Sequence, residues 1–174
     1  MKELLSIRLT SNFILERAVP TAGEIGFAYE RGWLPSAELI RLVTAKRRIG
    51  YPMTRTEEKI SMLLSDDNEE LHELAADLSL TDEPQEVRQQ VWTFLVLEWL
   101  WVHRGEFRDP YEIIELLYAD LDYPDEMAQL VRFMPVAEHN SEVALNQRWR
   151  QYLESRAEFF RERGKRMLST EGSA

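Results

Sequence analysis

The chain has 174 residues, no cysteine and a net charge of −10, from 21 Lys and Arg against 31 Asp and Glu. That length suits one domain able to bury a core without disulfide or metal, and the missing cysteines exclude thiol catalysis, disulfide frameworks and Cys-ligated zinc. Residues 1–55 carry net +4, residues 56–130 net −16 and residues 131–174 net +2, so the acidic middle argues against direct nucleic-acid binding and for encounter with a basic protein, beyond keeping the chain in solution.

Nearly every segment reads as helix. The N-terminal "MKELLSIRLTSNF" has no long apolar core or small-residue cleavage site, and no apolar run is long enough to span a bilayer. A cytoplasmic location without membrane association is therefore expected. A short helix is predicted over residues 10–19, ending at Pro20. Thr21 and Glu24 have the spacing of a capping box for a helix over 22–31, with Gly32 at its stop. Pro35 and Ser36 open the next, with Leu39, Ile40 and Val43 on one face and Gly50 past its end. Thr54 and Glu57 repeat the capping box, ahead of an apolar stripe of Ile60, Leu63 and Leu64. Asp67 with Glu70 reads as a further cap before Leu71, Leu74, Ala75 and Leu78. These two units form a helical hairpin joined by "SDDNE".

Residues 84–104 follow. In "VWTFLVLEWLWV" only Thr93 and Glu98 are polar. A helix apolar nearly all round must be covered on most sides, so this one is expected at the centre of the domain. Asp109 then caps a helix with Pro110 in its first turn and Ile113, Ile114, Leu116 and Leu117 on its buried face. Pro124 disfavours helical geometry at Tyr123 and breaks the pattern. Asp122 or Tyr123 is expected to begin the next helix, with Met127, Leu130, Val131 and Phe133 as its stripe and Pro135 as its end. After a loop, "VAEHNSE", a long helix is predicted over 141–163, burying Leu145, Trp149, Tyr152, Leu153, Ala157 and Phe160. Gly164 is expected to stop or fray it. The expected architecture is an all-α, single-domain bundle of about seven to nine helices over residues 1–168, with a flexible tail, 169–174. An α-solenoid-like stack of helical hairpins is the alternative.

The candidate chemistry is sparse. His72-Glu73 begins like a zinc-protease helix, but Ala76 stands where the second histidine belongs, and His72, His103 and His139 lie in separate elements. Asp120 and Asp122 resemble the start of a calcium loop. That loop fails because Pro124 takes its fifth position, the turn glycine is missing and Val131 takes the acidic twelfth. No phosphate loop, nucleophile elbow or dinucleotide fingerprint is present. No cofactor or metal is expected. Glu98, inside the most apolar helix, is expected to be paired, protonated or on the one exposed stripe, and for the pairing Arg132, Arg148 and Arg150 are candidates. Trp92, Trp99 and Trp101 read first as core and second as a pocket.

The densest polar feature is "YADLDYPDEM", which gathers Asp120, Asp122, Asp125 and Glu126 around a Tyr-Pro step. Asp122 and Asp125 are expected to favour a helix N-terminus. Asp66, Asp67, Glu69 and Glu70 form a second acidic group. The stretch "YADLDYPDEMAQLVRFMP" (118–135), with "ERGWLPSAELI" (30–40), resembles the signature of a bacterial family of small helical proteins of unassigned function. Such proteins are similar to immunity proteins encoded beside toxins in contact-dependent inhibition and related polymorphic-toxin systems. The resemblance implies a cognate protein toxin as partner, a basic nuclease domain being the expected kind, and carries over no catalytic residue. On this reading the chain is not an enzyme, and Asp120, Asp122, Tyr123, Asp125 and Glu126, with Asp66, Asp67, Glu69 and Glu70, face the toxin. The alternatives are a small helical enzyme or ligand-binding protein with a tryptophan-lined pocket, and a helical adaptor.

Overall fold

The computed structural model describes residues 7–64, 66–132 and 141–171. The expectations placed on Phe133, Pro135, His139 and the loop around them lie outside the described residues. Within these residues the chain is all α, as nine α-helices and one 3-10 turn. The helices are α1 (Ser11–Leu15), α2 (Ala22–Glu30), α3 (Ser36–Ile49), α4 (Arg55–Ser61), α5 (Asn68–Leu78), α6 (Gln85–Val102), α7 (Pro110–Asp120), α8 (Asp125–Ala128) and α9 (Glu142–Glu171), with the 3-10 turn at Arg104–Glu106. None is long and apolar enough to cross a membrane.

The first five helices pack as successive neighbours, α3 on α1 and α4, α4 on α5, and α5 back on α2. α6 then packs against α2 and α9. One continuous core results, and α6 supplies Val91, Trp92, Phe94, Leu95, Leu97 and Leu100 to it. Each such side chain contributes about 1.5–3 kcal/mol of apolar burial. The two indole N–H groups buried here both find carbonyls: Trp92 donates to Glu24 O at 2.7 Å and Trp149 to Leu97 O at 3.3 Å. Trp99 stacks on His103 at 4.0 Å and Trp101 meets Trp149 edge to face at 5.0 Å. The three tryptophans of α6 thus serve packing.

Both capping boxes form. Thr21 accepts from Glu24 N while Glu24 accepts from Thr21 N, and Thr54 and Glu57 do the same. Their glutamates do more than cap. Both are 2% exposed. Glu24 takes a two-pronged ion pair from Arg163 at 2.7 and 2.9 Å, and Glu57 accepts from Lys46 Nζ at 2.6 Å. The same cations clasp the connector before α2: Arg163 donates to Val19 O and Lys46 to Pro20 O.

Several local expectations need correction. Leu64 is 73% exposed, because α4 ends at Ser61 and the chain turns before Leu64 can join the stripe. Asp67 holds the N-cap position of α5 as expected, but its side chain makes no cap bond; its carboxylate accepts from Leu64 N at 3.0 Å and closes the preceding turn instead. Leu116 is 42% exposed, and Tyr111 occupies the core in its stead. Gly164 does not end α9, which is helical through Glu171 and so runs into the stretch expected as a loose tail. Glu98 pairs with Arg17 at 3.6 Å. The arginines proposed for it are engaged elsewhere: Arg132 with Glu115 and Asp109, Arg148 with Gln129 O, and Arg150 with Glu154.

Candidate functional site

The corner between α7 and α8 is built by a helix stop. At the end of α7 the N–H of Tyr123 reaches back to Tyr118 O at 2.8 Å and that of Asp122 to Ala119 O at 3.1 Å. This is the paired closure of a Schellman motif. It requires a left-handed residue after the helix, and the chain supplies two without glycine: Asp122 at φ 60° and Tyr123 at φ 57°. Aspartate tolerates that region, whereas an aromatic residue there is uncommon. The Tyr118 and Tyr123 rings meet edge to face at 5.1 Å, which is the apolar contact that accompanies such a closure. The expectation that Asp122 or Tyr123 begins the next helix is therefore corrected. Both terminate the previous one, and α8 starts at Asp125 behind Pro124.

Neighbouring elements fix the corner in place. Arg31, just past α2, donates to Asp120 O at 3.1 Å, and Gln89 of α6 donates to Leu121 O at 3.3 Å. These satisfy carbonyls that a helix end leaves open. Met127 and Leu130 are fully buried and anchor the far side.

Between this corner and the first turns of α6 lies a groove of about 450 Å³. One wall is Gln85, Glu86, Gln89 and Gln90; the other runs from Leu121 to Glu126 through Asp122, Tyr123, Pro124 and Asp125. Among the described residues it is lined by four carboxylates and no basic residue. Tyr123 is 60% exposed at its edge. Asp122 and Asp125 are exposed, while Glu126 is half-buried. Burial raises the Glu126 carboxyl above its ordinary value, against the smaller opposing pull of Arg156. Among the described residues its carboxylate accepts no hydrogen bond.

Two residues of α9 act on the groove's lining, Arg156 through Gln90 and Tyr152 through the charge of Glu126. Arg156 stacks over Phe159 and Phe160 at 4.5 and 5.0 Å and donates to Gln90 Oε1 at 3.3 Å. Tyr152 is buried, and among the described residues its hydroxyl has no hydrogen-bond partner. Its phenol is pushed well above the ordinary value, by burial first and the Glu126 charge second.

Asp120, Asp122, Tyr123, Asp125 and Glu126 thus come together at one corner, although Asp120 points its carbonyl to Arg31 and does not line the groove. Asp66, Asp67, Glu69 and Glu70 lie apart from it, around a separate depression of about 490 Å³ shared with Asn68 and Glu73, and every one of these side chains is exposed. Among the described residues no group of three or more His, Asp and Glu is disposed to hold a metal ion. Sequence reasoning missed the α6 wall and the α9 backing. The one local signal was Gln89, an amide that is 5% exposed on the apolar helix.

A third depression, of about 470 Å³, holds Arg104, Arg108, Arg132 and Tyr111. Tyr111 donates to Asn146 Oδ1, and its phenol is pushed up to about 12, by burial first and the charge of Glu142 second. Residues 133–140, adjoining Arg132, lie outside the described residues.

No curated protein and no solved structure matches the chain. A family model does match, over residues 10–157, a span that contains α1 to α8, the groove and its backing residues. The chain belongs to that family, described as an uncharacterized protein conserved in bacteria (DUF2247).

Proposed function

We propose that the chain is an immunity protein that neutralises a cognate bacterial toxin domain by stoichiometric occlusion. The observation that carries the reading is the groove at 85–90 and 121–126: acidic, edged by an exposed tyrosine, and lined by no cation among the described residues. Exposed tyrosine beside carboxylates suits a protein interface whose partner is basic. For a nuclease toxin, Asp122, Asp125 and Glu126 would stand where substrate phosphates lie, and the second acidic group at 66–70 would steer the approach. Membership of a bacterial family agrees with this reading. The protein acts on this proposal as a binder and not as a catalyst.

Co-expression with the C-terminal domain of a secreted toxin encoded by a neighbouring gene tests it. Growth rescue and a one-to-one complex are expected. Reversing Asp122, Asp125 and Glu126 to lysine should weaken that complex by about 100-fold and flatten its salt dependence. No rescue and no complex with any such neighbouring domain would overturn the reading.

A further inference from the structure

Charge on α4 and α5 is sorted in a way that folding alone does not require. On α4, Glu57 and Ile60 are buried, and Arg55, Lys59 and Met62 recur at helical spacing on the opposite, exposed face. Arg47, at the end of α3, joins this basic side by donating to Ser61 Oγ at 3.2 Å. α5 packs on α4 and buries Leu71, Leu74 and Leu78, which leaves Glu69 and Glu73 on its outer face. Between the basic helix and the acidic one stand two large apolar side chains in water, Met62 at 67% exposure and Leu64 at 73%.

Both halves are unfavourable in a chain by itself. Arg55 with Lys59 and Glu69 with Glu73 are like charges four residues apart on a helix, and such pairs repel. Among the described residues none of the four has an ion-pair partner, and Glu58, the exposed carboxylate beside Lys59, pairs with neither cation. The apolar pair is a separate cost, since nothing shields it from solvent.

A surface that passes from basic through apolar to acidic is its own complement. Turned about a two-fold axis through the apolar middle, Arg55 and Lys59 of one copy face Glu69 and Glu73 of the other, and the reverse holds across the axis. Met62 and Leu64 of both copies then cover one another. A purely basic partner would set Arg55 and Lys59 against like charge, and a purely acidic one would do so to Glu69 and Glu73. We propose that the chain pairs with a second copy of itself through the outer faces of α4 and α5, with Met62 and Leu64 at the centre. This inference does not rest on the toxin reading. The groove at 122–126 lies apart from the interface, whereas the carboxylates of 66–70 border it and steer a toxin only in the single chain.

Sedimentation equilibrium of the full chain over a range of concentrations tests the pairing. The mass should rise from one chain toward two and stop there, because a two-fold contact closes on itself. Arg55→Glu with Lys59→Glu should weaken the dimer about tenfold, and Glu69→Lys with Glu73→Lys about tenfold also. Mixed in equal amounts, the two variants should form a mixed dimer tighter than either forms with itself, since each reversed pair then meets its opposite. Met62→Ser with Leu64→Ser should weaken the native dimer about tenfold without touching a charge. Circular dichroism reports that each variant keeps its helices. A single-chain mass throughout, growth beyond two chains, or no association on mixing the two charge variants would each overturn the interface. Growth rescue by a chain that stays single removes the interface and leaves the immunity reading; a closed dimer without rescue supports the interface alone.

Discussion

Glu24, Glu57 and Glu126 stand in the first turns of α2, α4 and α8, and the protein treats them differently. Glu24 and Glu57 are sunk in the core with their oxygens occupied by a cap N–H and a distant cation. Glu126 has the same local setting, close to a helix N-terminus, but it lines a groove and its carboxylate accepts no hydrogen bond from the described residues. The lesson is that a helix start fixes where a carboxylate sits, while the partner brought by the fold decides whether it stabilises the molecule or stays free to meet something else. A buried pair is costly to break because one charge is left stranded. A half-buried, unbonded carboxylate costs something merely to keep charged.

The largest effect should come from Glu57→Ala, which strands Lys46, a side chain 4% exposed, and removes a cap. Urea denaturation should show a loss of about 3–5 kcal/mol. A loss below about 1 kcal/mol, the range of surface pairs, would break the contrast with the corner. Glu24→Ala should cost less, about 2 kcal/mol, since the Arg163 side chain is 20% exposed and can turn toward water. The reverse order would place the weight of the network on α9 instead of α3.

The smallest effect belongs to Glu126→Gln and is read in its pH dependence. The Glu126 carboxyl is raised in the fold, so the folded state holds that proton more tightly than the unfolded chain does. Its contribution to stability is then full below the ordinary value of 4.5 and fades as pH climbs through the raised value. Denaturation midpoints from pH 4 to 8, taken as the difference between the native protein and Glu126→Gln, should show this decline in the native protein only. Parallel profiles would make Glu126 an ordinary solvated carboxylate.

Much of the helical layout was legible because its signals are local. Thr21 with Glu24 and Thr54 with Glu57 announce helix starts within four residues, and the stripes on α5 and α9 repeat at helical spacing. Pro124 correctly marked a break, but the residues before it were assigned to the wrong helix. Reading Asp122 and Tyr123 as a left-handed stop required the bonds back to Ala119 and Tyr118, and non-glycine residues give weak notice of that conformation. The corner was visible as a charge cluster, whereas the groove was not. Its other wall comes from α6, more than thirty residues earlier in the chain, as the 32-residue separation of Gln89 and Leu121 shows. For the same reason the pairing of Glu98 with Arg17 escaped notice.

The clasp on the connector at Val19 and Pro20 bears on the order in which the molecule is made. Lys46 reaches Pro20 from 26 residues away, but Arg163 reaches Val19 and Glu24 from 144 and 139. As the chain leaves the ribosome, the first three helices can meet early, with Glu24 still unpaired and needing water. Only when α9 is complete does its arginine arrive to cover that charge. The last helix is therefore the latch on the second, and nascent chains stopped short of Arg163 should keep the head of α2 open to solvent and to proteases.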